Sequence, residues 1–160
     1  MHAEAYDWVA AHAPVGHRVV LDVGGRDING NPQDLFDPTC GWEVVDLHDG
    51  PGVTVVGDIL DYHPEELFDV ALCLEVAEHT KDWPRIIGHI ADLLTDEGLF
   101  IFTAAGPGRE PHSALHGGPL VAGEFYANVD PETLGHVLDG HFSDHLVDVL
   151  GPDVRAVAWK

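Results

Sequence analysis

The stretch RVVLDVGGRDING, residues 18–30, decides the fold. Its apolar beginning is rich in β-branched residues, which is typical of a strand buried on both faces of a parallel sheet. The run ends on a carboxylate, Asp22, and two adjacent glycines, Gly24 and Gly25, follow almost at once. Because glycines beside a strand end let a ligand approach the backbone, we expect this strand to end at a binding site.

The rest of the chain alternates between apolar runs and helical patterns. Four more runs are predicted to be strands: WEVVDL (42–47), VTVVGD (53–58), LFDVALCLEV (67–76) and GLFIFTA (98–104). Helices are predicted over 3–12, 82–94 and 130–140, the last two with Asp82 and Asp130 as N-caps. Two final strands, FSDHLVDVL and DVRAVAWK, flank a turn signal too short for a parallel crossover, so they should be antiparallel neighbours. The pattern predicts a three-layer α/β sandwich in a single domain, residues 1–160.

The composition limits the classes of partner. The chain has 160 residues, with 28 acidic and 7 basic side chains and a formal net charge of −21. Such an acidic protein repels phosphate backbones, so direct binding to long nucleic acids is not expected. The two cysteines, Cys40 and Cys73, make no disulfide framework, and Cys73 falls in an apolar run typical of the core. No segment resembles a signal peptide or a membrane span, so we expect a cytoplasmic protein without a membrane partner.

Acidic residues stand at the ends of four successive predicted strands: Asp22, Asp46, Asp58 and Glu75. In a doubly wound sheet these strand ends meet at the ligand-binding edge. A carboxylate that ends the second strand suits the two hydroxyls of a ribose, whereas Asp22 suits a cation better than a pyrophosphate. Arg26 and Asn29 occupy later glycine positions of the G-x-G-x-x-G pattern, which disfavours a nicotinamide-dependent oxidoreductase. S-adenosylmethionine combines a ribose and an adenine with a sulfonium and an ammonium, and it fits these requirements.

Three stretches carry a resemblance to a known family: VVLDVGGRDINGN, WEVVDLHDGPGVTVVGD and FDVALCLEVAEHT. In order and spacing, across residues 17–104, they resemble the motifs of class I S-adenosylmethionine-dependent methyltransferases, particularly the methyltransferase type 11 group. The resemblance implies a Rossmann-like, mostly parallel sheet with a C-terminal antiparallel hairpin. The glycine loop departs from the usual G-x-G-x-G pattern, and NGNPQDLF is a poor helix, so we expect the helix after the first strand to be shortened or displaced.

The resemblance also implies a set of cofactor contacts. Asp22, Gly24 and Gly25 would border the methionine part, together with the backbone at Leu74 and Glu75. Around the nucleoside, an acid would hold the ribose, an apolar side chain would pack on the adenine, and a further acid and a backbone N–H would meet the adenine edge. The complete predicted set is Asp22, Gly24, Gly25, Arg26, Asn29, Asp46, Leu47, Asp58, Ile59 and Leu74. For Leu47 and Ile59, plain core packing is the competing interpretation.

The catalytic residues are predicted from two polar stretches beyond the cofactor motifs. AEHT (77–80) follows the fourth strand, and the Gly/Pro-rich segment 106–126 follows the fifth and could cover the site as a lid. His112, His79 and Glu75 are the predicted catalytic residues, with His112 as a general base if the acceptor must lose a proton. A zinc site at His112 and His116 is not expected, because Pro111 disfavours a helix there and no cysteine is nearby.

The acceptor is predicted only by class. The chain has no Asn/Asp-Pro-Pro-Tyr/Phe sequence, no Pro-Cys pair, and only two lysines, Lys81 and Lys160, which excludes the usual site patterns of DNA-base and RNA-ribose methyltransferases. We therefore expect methyl transfer to a small molecule or to a group presented by a partner. The alternative is a binding module that holds S-adenosylmethionine or S-adenosylhomocysteine without catalysis and lends its fold to a complex.

Overall fold

Seven strands form the frame of the molecule. The computed structural model describes residues 3–28 and 30–160. Within them the strands are β1 (Val19–Val23), β2 (Gly41–Asp46), β3 (Val55–Val56), β4 (Phe68–Leu74), β5 (Leu94–Ala105), β6 (Asp144–Leu150) and β7 (Asp153–Trp159). They form a sheet of order β3-β2-β1-β4-β5-β7-β6. The first five strands are parallel, and β7 is antiparallel to both β5 and β6, which confirms the predicted mostly parallel sheet with a C-terminal hairpin.

Helices cover the two faces of the sheet and produce the predicted three layers. The helices are α1 (Ala3–His12), α2 (Trp83–Leu93) and α3 (Pro131–Asp139). Successive residues of a strand point to opposite faces. Accordingly, Val20 of β1 packs in one apolar cluster with Trp8 and Val9 of α1. Its neighbour Leu21 belongs to the other cluster, which contains the buried faces of α2 and α3.

The helix that would follow β1 is shortened, as predicted from the sequence. In place of a regular helix the connection contains a short 3-10 helix, Pro32–Leu35, and the side chain of Asn31 caps it by accepting a hydrogen bond from Gln33 N at 2.8 Å. The face of the sheet that α1 covers therefore has little other helical cover among the described residues. The carboxyl ends of β1 and β2 are left open to a ligand.

Three details differ from the sequence predictions. The strand expected over 53–58 is reduced to β3, and β5 begins at Leu94, directly after α2. Asp130 caps α3 as predicted, since its carboxylate accepts from Thr133 N at 2.8 Å. Asp82 does not cap α2 with its side chain. Its backbone N–H instead donates to Thr80 Oγ1 at 3.1 Å. The Thr80 side chain therefore stabilises the turn before the helix.

The strand order places the site. β2 and β4 lie on either side of β1, and the chain direction across the sheet reverses there. This is the topological switch point, where doubly wound sheets bind their ligands outside the carboxyl ends of the strands. In the described part of the chain, no helix has both the length and the apolar character needed to cross a membrane.

Candidate active site

A cavity of about 330 Å³ opens at the carboxyl ends of β1, β2 and β4. Its volume falls within the range of small-molecule sites. The structure brings to this cavity twelve of the predicted site residues: Asp22, Gly24, Gly25, Arg26, Asp46, Leu47, Asp58, Ile59, Leu74, Glu75, His79 and His112. Asn29, the remaining predicted residue, lies outside the described residues.

The two glycines after β1 are required by the packing of the protein itself. Gly24 has φ +72°, and a Cβ there would overlap the side chain of Val76. A Cβ at Gly25 would overlap the Asp22 carboxylate and lie 2.8 Å from Val44 Cγ1. The sequence predicts that these glycines give a ligand access to the backbone. The structure shows in addition that the bare backbone makes room for the buried Asp22 carboxylate.

Asp22 is a buried acid that faces the cavity. Only 2% of the residue is exposed, and it lies within β1. Burial, and then the nearby Asp46 carboxylate, raise the pKa of Asp22 to about 7. A carboxyl with such a pKa ionises more readily when a cation lies beside it, because the cation offsets both causes.

The end of β2 offers an acid and an apolar side chain to the same cavity. Asp46 Oδ1 accepts a hydrogen bond from His48 N at 2.8 Å, which orients the carboxylate. Leu47 is 65% exposed although it follows a buried strand, so core packing does not account for it. An exposed leucine beside an oriented carboxylate suits the face of a base that is attached to a sugar.

Beyond β3, Asp58 and Ile59 continue this wall of the cavity. Asp58 caps a short 3-10 helix, Ile59–Asp61, by accepting from Leu60 N at 2.9 Å. Ile59 is 5% exposed and packs in the core while also lining the cavity, so its side chain does both.

Arg26 adds a positive charge to a cavity that is otherwise acidic. Its aliphatic part would meet a Cβ at Gly50, so the side chain runs towards the loop after β2. Arg26 Nε is buried and has no hydrogen-bond partner among the described residues. A buried unsatisfied N–H of this kind favours a ligand with an acceptor group, such as a carboxylate.

Glu75 follows β4 in an unusual conformation. Among the described residues it is the one non-glycine with a positive φ, +59°. Such a conformation is strained and is common at functional sites. Its Oε2 lies 3.7 Å from a guanidinium nitrogen of Arg109, which also pairs with Asp153 at the start of β7. Arg109 therefore connects the end of β4 with the C-terminal hairpin.

Four side chains meet beside the cavity: Glu78, His79, His112 and Tyr126. The rings of His79 and His112 are 5.0 Å apart, and Tyr126 lies 5.5 Å from His79 and 5.1 Å from His112, measured between centroids. Glu78 is fully buried, and its Oε1 accepts from Ala105 N at 3.2 Å and lies 3.8 Å from His112 Nε2. The turn after β4 and the segment after β5 are thereby joined.

The ionisation of this group is strongly shifted. Burial, followed by the charge of Glu75, raises the pKa of Glu78 to about 8. Burial and the neighbouring His112 lower the pKa of His79 to about 4, so His79 is a neutral imidazole at pH 7. Burial and the Glu78 charge raise the pKa of Tyr126 to about 12. Strong shifts that cluster in a cleft favour a functional site over a purely structural one.

The segment 106–126 is held largely by its own contacts. Glu124 accepts hydrogen bonds from Ser113 Oγ at 2.8 Å and from Val121 N at 2.7 Å, so this carboxylate stabilises the loop. His112 and Ser113 line the cavity, whereas His116 is exposed and does not. Sequence reasoning considered His112 with His116. The contact of His112 with Glu78 depends on the path of an irregular loop and has no local sequence signal.

The strand order and the cavity at the switch point define the class I methyltransferase fold. A family model described as a methyltransferase domain matches residues 3–141. The chain belongs to this methyltransferase domain family, which confirms the interpretation made from the three sequence motifs. A search of the curated proteins finds no significant match.

Solved structures share the fold at low sequence identity. The chain is similar to the 1,6-didemethyltoxoflavin N1-methyltransferase of Burkholderia thailandensis, with 20% identity and a TM-score of 0.68 over 99% of this chain and 77% of that one. The magnesium protoporphyrin IX methyltransferase of Synechocystis PCC 6803 has 13% identity and a TM-score of 0.65, over 98% and 80% of the two chains. An S-adenosylmethionine-dependent methyltransferase of Mesorhizobium loti has 17% identity and a TM-score of 0.68, over 97% and 98%.

Proposed function

We propose that the chain binds S-adenosylmethionine and transfers its methyl group to a small molecule or to a group presented by a partner. One observation carries the proposal: the acids at or near the ends of four strands, two bare glycines and Arg26 all line one cavity at the switch point. The toxoflavin enzyme and the protoporphyrin enzyme were solved with S-adenosylhomocysteine bound, which supports the same ligand here. The residues of this chain fit that ligand at both of its ends.

At the nucleoside end, Asp46 accepts hydrogen bonds from the two ribose hydroxyls with the oxygen positions that His48 N leaves free. The exposed Leu47 packs on the adenine. The second oxygen of Asp58 accepts from the adenine amino group, since its Oδ1 is used by Leu60 N. The wall formed by Asp46, Leu47, Asp58 and Ile59 thus matches one nucleoside.

At the methionine end, the chain offers charges of both signs. Asp22 faces the ammonium, and the unsatisfied Arg26 Nε faces the carboxylate of the amino acid. The backbone at Leu74 and Glu75 closes this end of the cavity. These contacts favour a ligand that carries an amino-acid group over a nucleotide that carries phosphates.

S-adenosylmethionine supplies a methyl group that is already activated on a sulfonium. The protein then has to exclude water, align the acceptor and remove a proton where the acceptor has one. His112, His79 and Glu75 border the cavity next to the methionine end, and they are the residues that we propose act on the acceptor. Their convergence beside the cavity favours catalysis over the non-catalytic alternative.

Calorimetric titration with S-adenosylmethionine, S-adenosylhomocysteine and NAD in parallel tests the assignment. We expect saturable binding of the first two at one site per chain and no binding of NAD. Binding of NAD without binding of S-adenosylhomocysteine would contradict the proposal. A screen of hydroxyl- and amino-bearing small molecules for S-adenosylhomocysteine release then tests transfer. The single domain, the cytoplasmic location and the absence of long nucleic-acid partners stay predictions from the sequence.

The charge of Asp22 gives a first prediction. Because its pKa is raised to about 7, the carboxylate that attracts an ammonium forms over the range around neutral pH. The affinity for S-adenosylhomocysteine should therefore rise from pH 6 to pH 8 in the wild type.

Asp22→Asn keeps the size of the side chain and should lower the affinity at pH 8 roughly tenfold, the effect of a hydrogen bond to a charged group. Calorimetry at several pH values measures this, and Asp96→Asn, at an exposed position in β5, is the matched control. If Asp22→Asn lowers stability but the folded variant binds S-adenosylhomocysteine with unchanged affinity, Asp22 is a structural residue.

The segment 106–126 gives a second prediction. It leaves the end of β5, contains no helix or strand, and contributes His112, Ser113 and Gly117 to the cavity wall. We expect its amides to exchange rapidly in the empty protein and to become protected when S-adenosylhomocysteine is added, because the ligand orders the wall that covers it. Hydrogen exchange with mass spectrometry measures this. Equal protection with and without ligand would show a rigid loop rather than a lid.

A further inference from the structure

Glu78, His79 and His112 form a compact group that we name the Glu–His–His cluster. Each residue offers one ligand atom, a carboxylate oxygen or an imidazole nitrogen, and these atoms all lie within 4.8 Å of one another. Two chain segments contribute to the cluster: the turn Ala77–His79 after β4 and the segment that follows β5. His79 and His112 line the cavity, and the buried Glu78 lies behind them.

Two atoms of the cluster are buried without a partner. Glu78 Oε1 accepts from Ala105 N, but Glu78 Oε2 has no hydrogen-bond partner among the described residues. The same holds for His79 Nδ1. Buried polar atoms are nearly always satisfied, so two unsatisfied ones in a single cluster favour a ligand that contacts both. A carboxylate oxygen and an imidazole nitrogen can both be satisfied at once by a cation.

The distances within the cluster point the same way. The 3.8 Å separation of Glu78 Oε1 and His112 Nε2 is too long for a good hydrogen bond. Imidazole nitrogens and carboxylate oxygens are common protein ligands of metal ions.

We propose that Glu78, His79 and His112 bind a divalent first-row transition-metal ion at the edge of the cavity. Two imidazole nitrogens and one carboxylate oxygen suit ions such as Co²⁺, Zn²⁺, Mn²⁺ and Fe²⁺, whereas Mg²⁺ and Ca²⁺ prefer oxygen ligands. Three protein ligands leave coordination positions open. Because His79 and His112 line the cavity, an ion that they hold would border the cavity.

This site changes the role of two predicted catalytic residues. A histidine nitrogen that binds an ion is not available to accept a proton, so His79 and His112 become ligands rather than general bases. Resting on the proposed function, the inference also names a class of acceptor: a small molecule with an oxygen donor that the ion can hold and polarise. The binding of the ion itself does not depend on that function.

Cobalt is the probe for the test, because Co²⁺ bound by nitrogen and oxygen ligands has visible absorption bands. The full chain, without an affinity tag, is treated with a chelator, desalted and titrated with Co²⁺ at pH 7.5. We expect one saturable site per chain. His112→Ala should weaken Co²⁺ binding by more than about tenfold, since even the loss of a residue that only supports a ligand costs 10- to 100-fold. His79→Ala should do the same.

His116→Ala is the matched control, because His116 lies four residues from His112 in the same segment but is exposed and outside the cavity. It should bind Co²⁺ like the wild type. Circular dichroism checks the folding of each variant; His112, with a side chain 20% exposed in a loop, is the position least expected to disturb it. The absence of a saturable site, or equal losses in His112→Ala and His116→Ala, would overturn the proposal.

Titration of the same samples with S-adenosylhomocysteine separates this inference from the proposed function. Binding of S-adenosylhomocysteine without Co²⁺ binding overturns the metal site alone. Co²⁺ binding without S-adenosylhomocysteine binding supports the metal site and contradicts the proposed function instead.

Discussion

In unfolding experiments with a chelator present, the Glu78→Gln variant should be more stable than the wild type at pH 8. At pH 5 the two proteins should be about equally stable. Glu78 is buried, and its pKa rises from 4.5 to about 8 in the folded protein. The folded state therefore keeps a proton that the unfolded state releases between these two pH values. The contribution of protonated Glu78 to the free energy of unfolding of the wild type is therefore complete below pH 4.5 and is lost as the pH rises towards 8.

The size of this effect is large. At about 1.4 kcal/mol per pKa unit, a shift of roughly 3.5 units corresponds to at most about 5 kcal/mol of the free energy of unfolding. Glutamine has the shape of the protonated acid, and its oxygen can still accept from Ala105 N, so the variant should lose stability less steeply with pH. Urea unfolding at pH 5, 6, 7 and 8 measures the difference.

A matched control removes the general effect of charge. Glu97→Gln makes the same substitution at an exposed position of β5, and its dependence on pH should follow that of the wild type. Added Co²⁺ should restore stability at pH 8 to the wild type and not to Glu78→Gln. Parallel curves for the wild type and Glu78→Gln would mean that Glu78 does not titrate as its burial implies.

Asp46→Ala should lower the affinity for S-adenosylhomocysteine by roughly 10- to 150-fold, corresponding to about 1.5–3 kcal/mol for hydrogen bonds to a charged acceptor. The carboxylate follows a buried strand, is oriented by His48 N and faces the cavity. Its removal takes both ribose contacts away and leaves the sheet in place. Calorimetry measures the affinity.

Asp49→Ala, three residues further along, controls for the loss of one negative charge near the site. Asp49 is exposed and does not line the cavity, so the affinity of Asp49→Ala for S-adenosylhomocysteine should match that of the wild type. If both variants bind equally well, the ribose is not held at Asp46 and the nucleoside end of the site must be assigned elsewhere.

The sheet and the helices that flank it could be predicted from local patterns. β1, β2 and β4 are apolar runs, and α2 repeats its isoleucines at helical spacing. The local sequence pattern therefore predicts which residues are buried. β3 was predicted too long, because only two of the residues 53–58, Val55 and Val56, pair with β2. The early start of β5 was missed, since its exposed Asp96 and Glu97 interrupt the apolar pattern before Gly98.

The convergence on one cavity of the residues proposed to bind the cofactor was predictable for a similar reason. Each residue placed there stands at or near a strand end, and parallel strand ends converge whatever the connections are. The Glu–His–His cluster was not predictable, because Glu78 and His112 meet only through the path of an irregular segment. The burial of Glu78 depends on how that segment packs over the turn after β4.

The surplus of acids in the cavity has a consequence for turnover. Before the reaction, the sulfonium and the ammonium of the proposed ligand both lie in the field of Asp22 and its acidic neighbours. After transfer the sulfur is neutral, so the attraction that retained the ligand is weaker for the spent molecule than for the fresh one. In the proposed complex, these carboxylates would attract the methyl donor more strongly than the spent molecule and would therefore favour the exchange of one for the other.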